Sequence, residues 1–324
     1  MAGLDEFGLI AELFAPLSAG CPGAFGLKDD AAVVSSPAGM AAVLTMDAVV
    51  AGVHFLPDDP PDLVARKLVR VNLSDLAAMG AQPYGLLLAA AFPRGADEGW
   101  LRAFGRGLAE DVAGFGLCLL GGDTVATPGP ATFSLTAMGW CVPGRELRRN
   151  GARAGDLLAV SGTIGDSALG LKVLRGGLSL PSEHSAFLVD RYRLPQPRVA
   201  LGPALVGIAG AAMDVSDGLC ADLGHICRAS GVGAVVEAAK VPLSEAARAA
   251  VGAEPALIAS ILGGGDDYEL LFTVPPGRWP EAEAAARAAG VPVTAIGRIV
   301  EGTDVSVLDA AGTPLVAQGG WRHF

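Results

Sequence analysis

Apolar residues at Leu4, Phe7, Ile10, Leu13 and Phe14 recur every three or four positions, so residues 4–15 predict a short helix with one apolar face. Two runs of β character follow, Ala31–Ser35 and Ala41–Met46. Pro60-Pro61 opens a longer helical pattern to about Met79, with Leu63, Val64, Leu68, Val71 and Leu76 on one side. Tyr84–Phe92 is apolar without a break and predicts a buried strand. Asp97–Phe115 predicts a helix, Leu117–Leu120 a short strand stopped by Gly121-Gly122, and Thr132–Val142 an alternating strand.

A polar connector interrupts this pattern. Pro143-Gly144, four arginines and two further glycines fill Pro143–Asp156, which sets the expected domain boundary between residues 1–149 and 150–324. Beyond it, strands are expected at Leu157–Val160, Ala211–Val215, Val232–Glu237, Glu269–Val274 and Val293–Val300. Helices are expected at Asp166–Leu174, Pro197–Ile208, from Asp217 onward, and at Trp279–Ala289. Strands and helices in both halves imply two α/β or α+β domains.

Composition narrows the function classes. Hydrophobic residues are 51% and charged residues 18% of 324, which excludes intrinsic disorder. A net charge of −11 without a Lys/Arg-rich run argues against a nucleic-acid partner. The longest strongly apolar stretch, Tyr84–Phe92, is far short of the about 20 residues a membrane-spanning helix needs. The first residues carry acids and no basic n-region, so no secretory signal is expected and a cytoplasmic protein without a membrane partner follows. The five cysteines include no C-x-x-C pair and sit in apolar sequence, which predicts buried, reduced thiols rather than a zinc site.

The chemistry lies in acids at element ends. Six segments end an apolar run on a carboxylate, often beside glycine: residues 28–30, 45–47, 72–75, 121–124, 213–218 and 263–269. Any one of them alone reads as a helix cap or turn. Gathered together they would repel, because two carboxylates about 5 Å apart cost roughly 3 kcal/mol at an effective dielectric near 20. Divalent cations would remove that penalty, and an all-oxygen ligand set favours Mg²⁺, which completes its shell with water and phosphate oxygens. The residues therefore point to magnesium-assisted phosphate chemistry. No lysine is followed by Ser or Thr, and no H-R-D, D-F-G, G-x-S-x-G or strand-linked G-x-G-x-x-G occurs, so P-loop, protein-kinase, hydrolase-elbow and Rossmann readings fall away.

Gly-Leu-Lys-Asp-Asp at 26–30, Thr-Met-Asp at 45–47, Val-Ala-Gly-Val-His-Phe at 50–55 and Val-Asn-Leu-Ser-Asp-Leu-Ala-Ala-Met-Gly-Ala at 71–81 resemble the thiamine-monophosphate kinase family. So do Gly-Gly-Asp-Thr at 121–124, Met-Asp-Val-Ser-Asp-Gly-Leu at 213–219, Gly-Gly-Asp-Asp-Tyr-Glu-Leu at 264–270 and the Gly-Trp-Arg-His-Phe end, in order along the whole chain. The resemblance implies a two-domain fold like that of aminoimidazole ribonucleotide synthetase. Its N-terminal ATP- and Mg²⁺-binding domain would pair its sheet with a second subunit's in a homodimer, and an α/β domain would follow. It also implies ATP-dependent phosphorylation of thiamine monophosphate to thiamine diphosphate by direct transfer, the last step of thiamine diphosphate biosynthesis.

Asp30, Thr45, Asp47, Asp75, Asp123, Asp214 and Asp217 match the family's metal ligands, and Met46 can add only its backbone carbonyl. Gly122, Asp123, Arg149 and Ser216 match ATP contacts; His54, Asp266 and Trp321 match positions around thiamine phosphate. Relatives can carry Tyr near Phe104-Gly105, so that contact is altered here. No acid–base residue is implied, since the acceptor phosphate is already anionic and transfer needs alignment and charge neutralisation. Simpler roles stay open: Trp321 as a packing residue, Arg149 as a solvated linker arginine, and Asp29 and Asp267 as capping acids. Selenophosphate synthetase would need a reactive Cys in a context Cys21 lacks, and a hydrogenase-maturation relative would need a C-terminal Cys, whereas the last one here is Cys227.

Overall fold

A computed structural model describes residues 6–315 and divides them into two compact units, one of residues up to 76 with 81–143, the other of residues 77–80 with 144 onward. The first opens with a single helical turn, α1 (Glu6–Leu9), that widens into a π-turn at Ile10–Phe14. Its frame is β1 (Ala41–Val50), α2 (Pro61–Ala78), β2 (Gln82–Pro93), α3 (Glu98–Gly114), β3 (Cys118–Thr127) and β4 (Thr132–Cys141). The sheet order is β1-β4-β2-β3, with β2 and β3 parallel and the other pairs antiparallel. One face is dry: Leu86, Leu88, Phe92, Phe133 and Leu135 are buried, and Phe104 of α3 lies 4.6 Å from Phe133, ring centre to ring centre. The other face leaves apolar side chains in the open, among them Leu44, Met46, Leu87 and Val125.

Three expectations for this unit need correction. Ala31–Ser35 forms no strand; only Val33 N–H bonds back, to the Gly23 carbonyl, and the segment packs its apolar side chains against Cys21, Cys118 and Leu120. Gly121-Gly122 do not stop β3, which runs on to Thr127 after a bulge opposite Leu86/Leu87. A Cβ at Gly122 would fall 1.9 Å from the Leu88 carbonyl oxygen, so glycine lets the two backbones close here. Third, Cys21 and Cys118 are joined as a disulfide, their Cα atoms 6.2 Å apart, so two of the five cysteines are not reduced thiols.

The second unit is a seven-stranded mixed sheet in the order β11-β10-β7-β9-β5-β8-β6. Its strands are β5 (Leu157–Ser161), β6 (Ala211–Asp214), β7 (Gly233–Glu237), β8 (Leu270–Val274), β9 (Val293–Val300), β10 (Val305–Leu308) and β11 (Pro314–Leu315). Helices α4 (Asp166–Leu174), α5 (Ser182–Arg193), α6 (Leu201–Ala204), α7 (Leu219–Ser230), α8 (Glu245–Ala253), α9 (Leu257–Gly263) and α10 (Trp279–Ala289) complete it. Both faces are covered, which is why β8 reads Leu-Leu-Phe-Thr-Val without polar alternation. Leu271 joins the core of α7 and α9, whereas Leu270, Phe272 and Val274 join Ala282 and Ala286 of α10. The helix expected over Pro197–Ile208 shrinks to the single turn α6, since Pro203 offers no N–H; within that turn Gly202 lets the backbone approach the Ala77 carbonyl, which a Cβ would meet at 2.0 Å.

Candidate functional site

In the first unit the alternation of β1 decides which side chains can meet. Thr45 and Asp47 are half-buried, and between them Met46 points to the open face, 67% exposed. Thr45 Oγ1 donates to Asp75 Oδ2 at 2.5 Å, and the Asp47 amide donates to Asn72 Oδ1 at 2.9 Å. Asn72 and Asp75 stand three residues apart on α2 and so share one helix face. Asn72 is fully buried and donates its own amide to the Leu68 carbonyl, which fixes the oxygen it shows to β1. The sequence marks Asn72 only as a member of an acid-ending segment; a polar side chain inside an otherwise apolar helix face is the sign that could have singled it out.

His54 sits in the turn after β1. Its Nδ1 accepts from the Val50 amide at 3.1 Å, leaving Nε2 as the N–H side of the ring, and its carbonyl accepts from buried Lys67 at 3.1 Å. Asp30 is exposed in the irregular segment before β1. Gly122 and Asp123 lie on β3, the opposite sheet edge from β1. Three strand spacings of about 4.8 Å put Asp123 roughly 14 Å from β1. Register also places it with Ala89 and Ser134 on the open face, opposite to Asp47. Within one chain, then, Thr45, Asp47 and Asp75 are brought together and Asp123 is not.

In the second unit two loops lie side by side. Asp214 ends β6 and is buried; Ser216 and Asp217 follow, half-buried. The Asp266 amide donates to the Ser216 carbonyl and the Tyr268 amide to the Val215 carbonyl, both at 2.8 Å. Asp266 and Tyr268 hold positive φ of 69° and 51°, a conformation L residues resist, and the Tyr268 hydroxyl donates to Asp266 Oδ1 at 3.3 Å. Asp267, between them, turns inward and accepts from the Gly165 and Ser167 amides. Burial pushes its carboxyl well above the usual range against those bonds. Glu269 accepts from Ser161 Oγ at 2.6 Å and forms a bidentate pair with Arg198. Arg149 is exposed and lends its carbonyl to Ser230 Oγ at 2.9 Å. Trp321 lies outside the described residues.

Asp222 is a residue the sequence reading did not single out. It is 1% exposed on α7 and gathers the amides of residues 216–218. Burial, with the neighbouring Asp217 charge, pushes its carboxyl up to about 7 despite those bonds. Its sign in the sequence is an acid four residues past a glycine that opens a helix without a capping side chain.

Among the described residues no group of three or more His, Cys, Asp and Glu side chains is arranged to enclose a metal. The candidate donors are all oxygens: Thr45 meets Asp75, and Asp214 at the end of β6 is followed three residues on by Asp217. Incomplete oxygen sets suit Mg²⁺, which keeps several waters and takes phosphate oxygens; they do not suit zinc.

Comparison with known proteins agrees with this architecture. Residues 28–141 match the AIR synthase related protein N-terminal domain and residues 153–310 the corresponding C-terminal domain. That defines a class, the two-domain AIR synthase related proteins; hydrogenase maturation protein HypE, at TM-score 0.78 and 21% identity, shares the fold alone. The thiamine-monophosphate kinase of Caulobacter vibrioides is 47% identical over 98% of this chain and 90% of its own length. That of Salmonella typhimurium is 45% identical over 98% and 97%. The crystal structure of the Stenotrophomonas maltophilia enzyme superposes with TM-score 0.81 at 41% identity, covering 86% and 89% of the two chains. AaThiL complexed with AMPPCP and TMP superposes with TM-score 0.79 at 31% identity over 99% and 97%. The chain belongs to the thiamine-monophosphate kinase family.

Proposed function

We propose that this protein transfers the terminal phosphoryl group of ATP directly to the phosphate of thiamine monophosphate, giving ADP and thiamine diphosphate, the last step of thiamine diphosphate biosynthesis. The likeness to thiamine-monophosphate kinases supports the reaction. The observation in this chain that carries the site is the oxygen-only pairing of Thr45 with Asp75, with the Asp47 backbone tied to Asn72 of the same helix. Asp30, Thr45, Asp47, Asp75, Asp123, Asp214 and Asp217, with the Met46 backbone carbonyl, would hold Mg²⁺. When bound, Mg²⁺ supplies charge neutralisation to the phosphates of both substrates. Gly122, Asp123, Ser216 and Arg149 contact ATP. His54 offers Nε2–H, and Asp266 a carboxylate oriented by Tyr268, to thiamine monophosphate, whose rings meet Trp321. The acceptor oxygen is anionic already, so no residue need remove a proton; the side chains align the two substrates and exclude water.

The 1–149 segment would bind ATP and metal and form the homodimer, with 150–324 completing the α/β part. The open face of the first sheet supports a second copy as partner: Leu44, Met46, Leu87 and Val125 are 64%, 67%, 43% and 50% exposed. A second subunit would also give Asp123, stranded at the β3 edge, acids to work with. No helix among the described residues is long and apolar enough to cross a membrane, and we place the reaction in the cytoplasm.

The test is ADP release, with thiamine diphosphate measured chromatographically, using thiamine monophosphate, thiamine and no acceptor. Only the monophosphate should turn over, and only with Mg²⁺. Asp75→Asn can keep the Thr45 hydrogen bond but loses the charge; it should fold normally and lose at least about a hundredfold in kcat, the scale of one charge-stabilising contact in a transition state. Wild-type turnover in that variant, or turnover after complete chelation, refutes the reading.

A further inference from the structure

The chain leaves β6 at Asp214 and enters α7 at Leu219, and the turn between them leaves the amides of Ser216, Asp217 and Gly218 pointing into the protein. Helix starts leave amides unpaired, and a side chain just before the helix usually caps them. Here that position is Gly218, which has no side chain, and its φ of 123° and the Gly263 carbonyl 2.6 Å from a hypothetical Cβ exclude any other residue without strain. The helix supplies the cap from inside instead. Asp222, one turn in, reaches back, and its single Oδ2 accepts from the Ser216, Asp217 and Gly218 amides at 3.0, 3.0 and 3.1 Å.

The opposite side of the loop is closed as well. The Ser216 and Val215 carbonyls accept from the Asp266 and Tyr268 amides, and a Cβ at Gly265 would fall 2.2 Å from the Ser216 oxygen. With amides held on one side and carbonyls on the other, the peptide planes of 215–218 have one orientation. The directions in which the Ser216 and Asp217 side chains leave the backbone follow from it.

We propose that Asp222 is a positioning residue of the phosphoryl-transfer site: one carboxylate oxygen, by collecting three successive amides, aims Ser216 and Asp217 at the nucleotide and its cation. This rests on the assignment of Ser216 and Asp217 above. The element needed is an acceptor oxygen at that point; a formal charge there is secondary. Asp222→Asn keeps an acceptor oxygen at the same reach, whereas Asp222→Glu keeps the charge and displaces the oxygen by one methylene. Loss of a supporting hydrogen bond behind a metal ligand typically weakens the site about 10–100-fold.

The experiment compares both full-length variants with wild type by amide hydrogen exchange over 214–219, by calorimetric binding of AMPPCP with Mg²⁺, and by KM for each substrate. Asp222→Glu should speed exchange at 216–218, weaken AMPPCP at least about tenfold and raise the KM for ATP, leaving that for thiamine monophosphate within twofold. Asp222→Asn should stay within threefold of wild type in all of these. Unchanged exchange or unchanged AMPPCP affinity in Asp222→Glu overturns the proposal. So does equal damage by both variants with both KM values affected alike, the pattern of a merely structural group. A wild-type protein that binds AMPPCP but leaves thiamine monophosphate unphosphorylated overturns the kinase reading alone, and the exchange and binding data still decide the role of Asp222.

Discussion

Removing the Asp111 carboxylate tests the packing of α2 on α3 beneath the first sheet. Asp111 is 2% exposed and accepts from Arg70 Nε at 2.6 Å, Arg70 Nη2 at 3.0 Å and Arg66 Nε at 3.0 Å. The Arg66 and Arg70 side chains are 15% and 8% exposed, and Arg70 also lies over the Phe115 ring at 5.4 Å. Asp111→Ala removes the carboxylate on which three guanidinium N–H groups of Arg66 and Arg70 converge. Breaking a buried pair from one side costs about 3–5 kcal/mol. Glu110, bound to Arg66 at 2.8 Å, is 61% exposed and so replaces little of what Arg66 loses. For a unit of this size the equivalent melting shift is about 9–15 °C. Urea denaturation followed by tryptophan fluorescence is the assay, since Trp100 and Trp140 both lie in this unit. Asp111→Leu combined with Arg70→Met should recover part of the loss, because the most buried pair is then replaced by apolar groups. A loss below about 1 kcal/mol in Asp111→Ala, the scale of an exposed pair, would refute the reasoning.

Other expectations follow from the same structure. Leu44→Glu places a charge on the open sheet face and should convert a dimer to monomer in light scattering with the melting curve of the monomer fold intact; an unchanged mass sinks the dimer face. Asp267, with its carboxyl raised by burial, stabilises the fold fully below the unfolded value of 3.8 and loses that contribution as pH rises through the folded value. Wild type should therefore lose stability relative to Asp267→Asn on going from acid to neutral pH in urea titrations, and parallel curves would contradict this. Alkylation of the unfolded, unreduced protein should label three cysteines and, after reduction, five. Closing 97 residues, the bond should contribute about 4–5 kcal/mol by loop entropy, and five labels before reduction would refute it.

Much of the fold is legible from local pattern. The apolar face of α2 follows from side-chain period, and the unbroken apolar runs of β2 and β8 mark strands; β8 is buried on both faces, but β2, expected buried, leaves Leu87 and Ala89 exposed. Strand alternation places Thr45 and Asp47 on one side of β1 and Met46 on the other. The Asp-bearing segments and their oxygen-only chemistry are likewise visible, since each is contiguous in sequence. Other features depend on approach between distant segments. Gly121-Gly122 look like a stop until β2 lies against them; then the missing side chains are what lets β3 continue beside Leu88. Ala31–Ser35 has the composition of a strand, but its backbone bonds back to Gly23 and its apolar side chains pack on Cys21, Cys118 and Leu120, and Pro197–Ile208 has helical spacing that the missing N–H of Pro203 interrupts. α5 buries only Leu188 and Tyr192, too few apolar positions to mark a helix. The Cys21–Cys118 bond joins residues 97 apart in sequence, and no spacing rule reaches that far. Asp222 belongs with these: it is an ordinary helix acid until the turn at 216–218 folds three amides onto one of its oxygens.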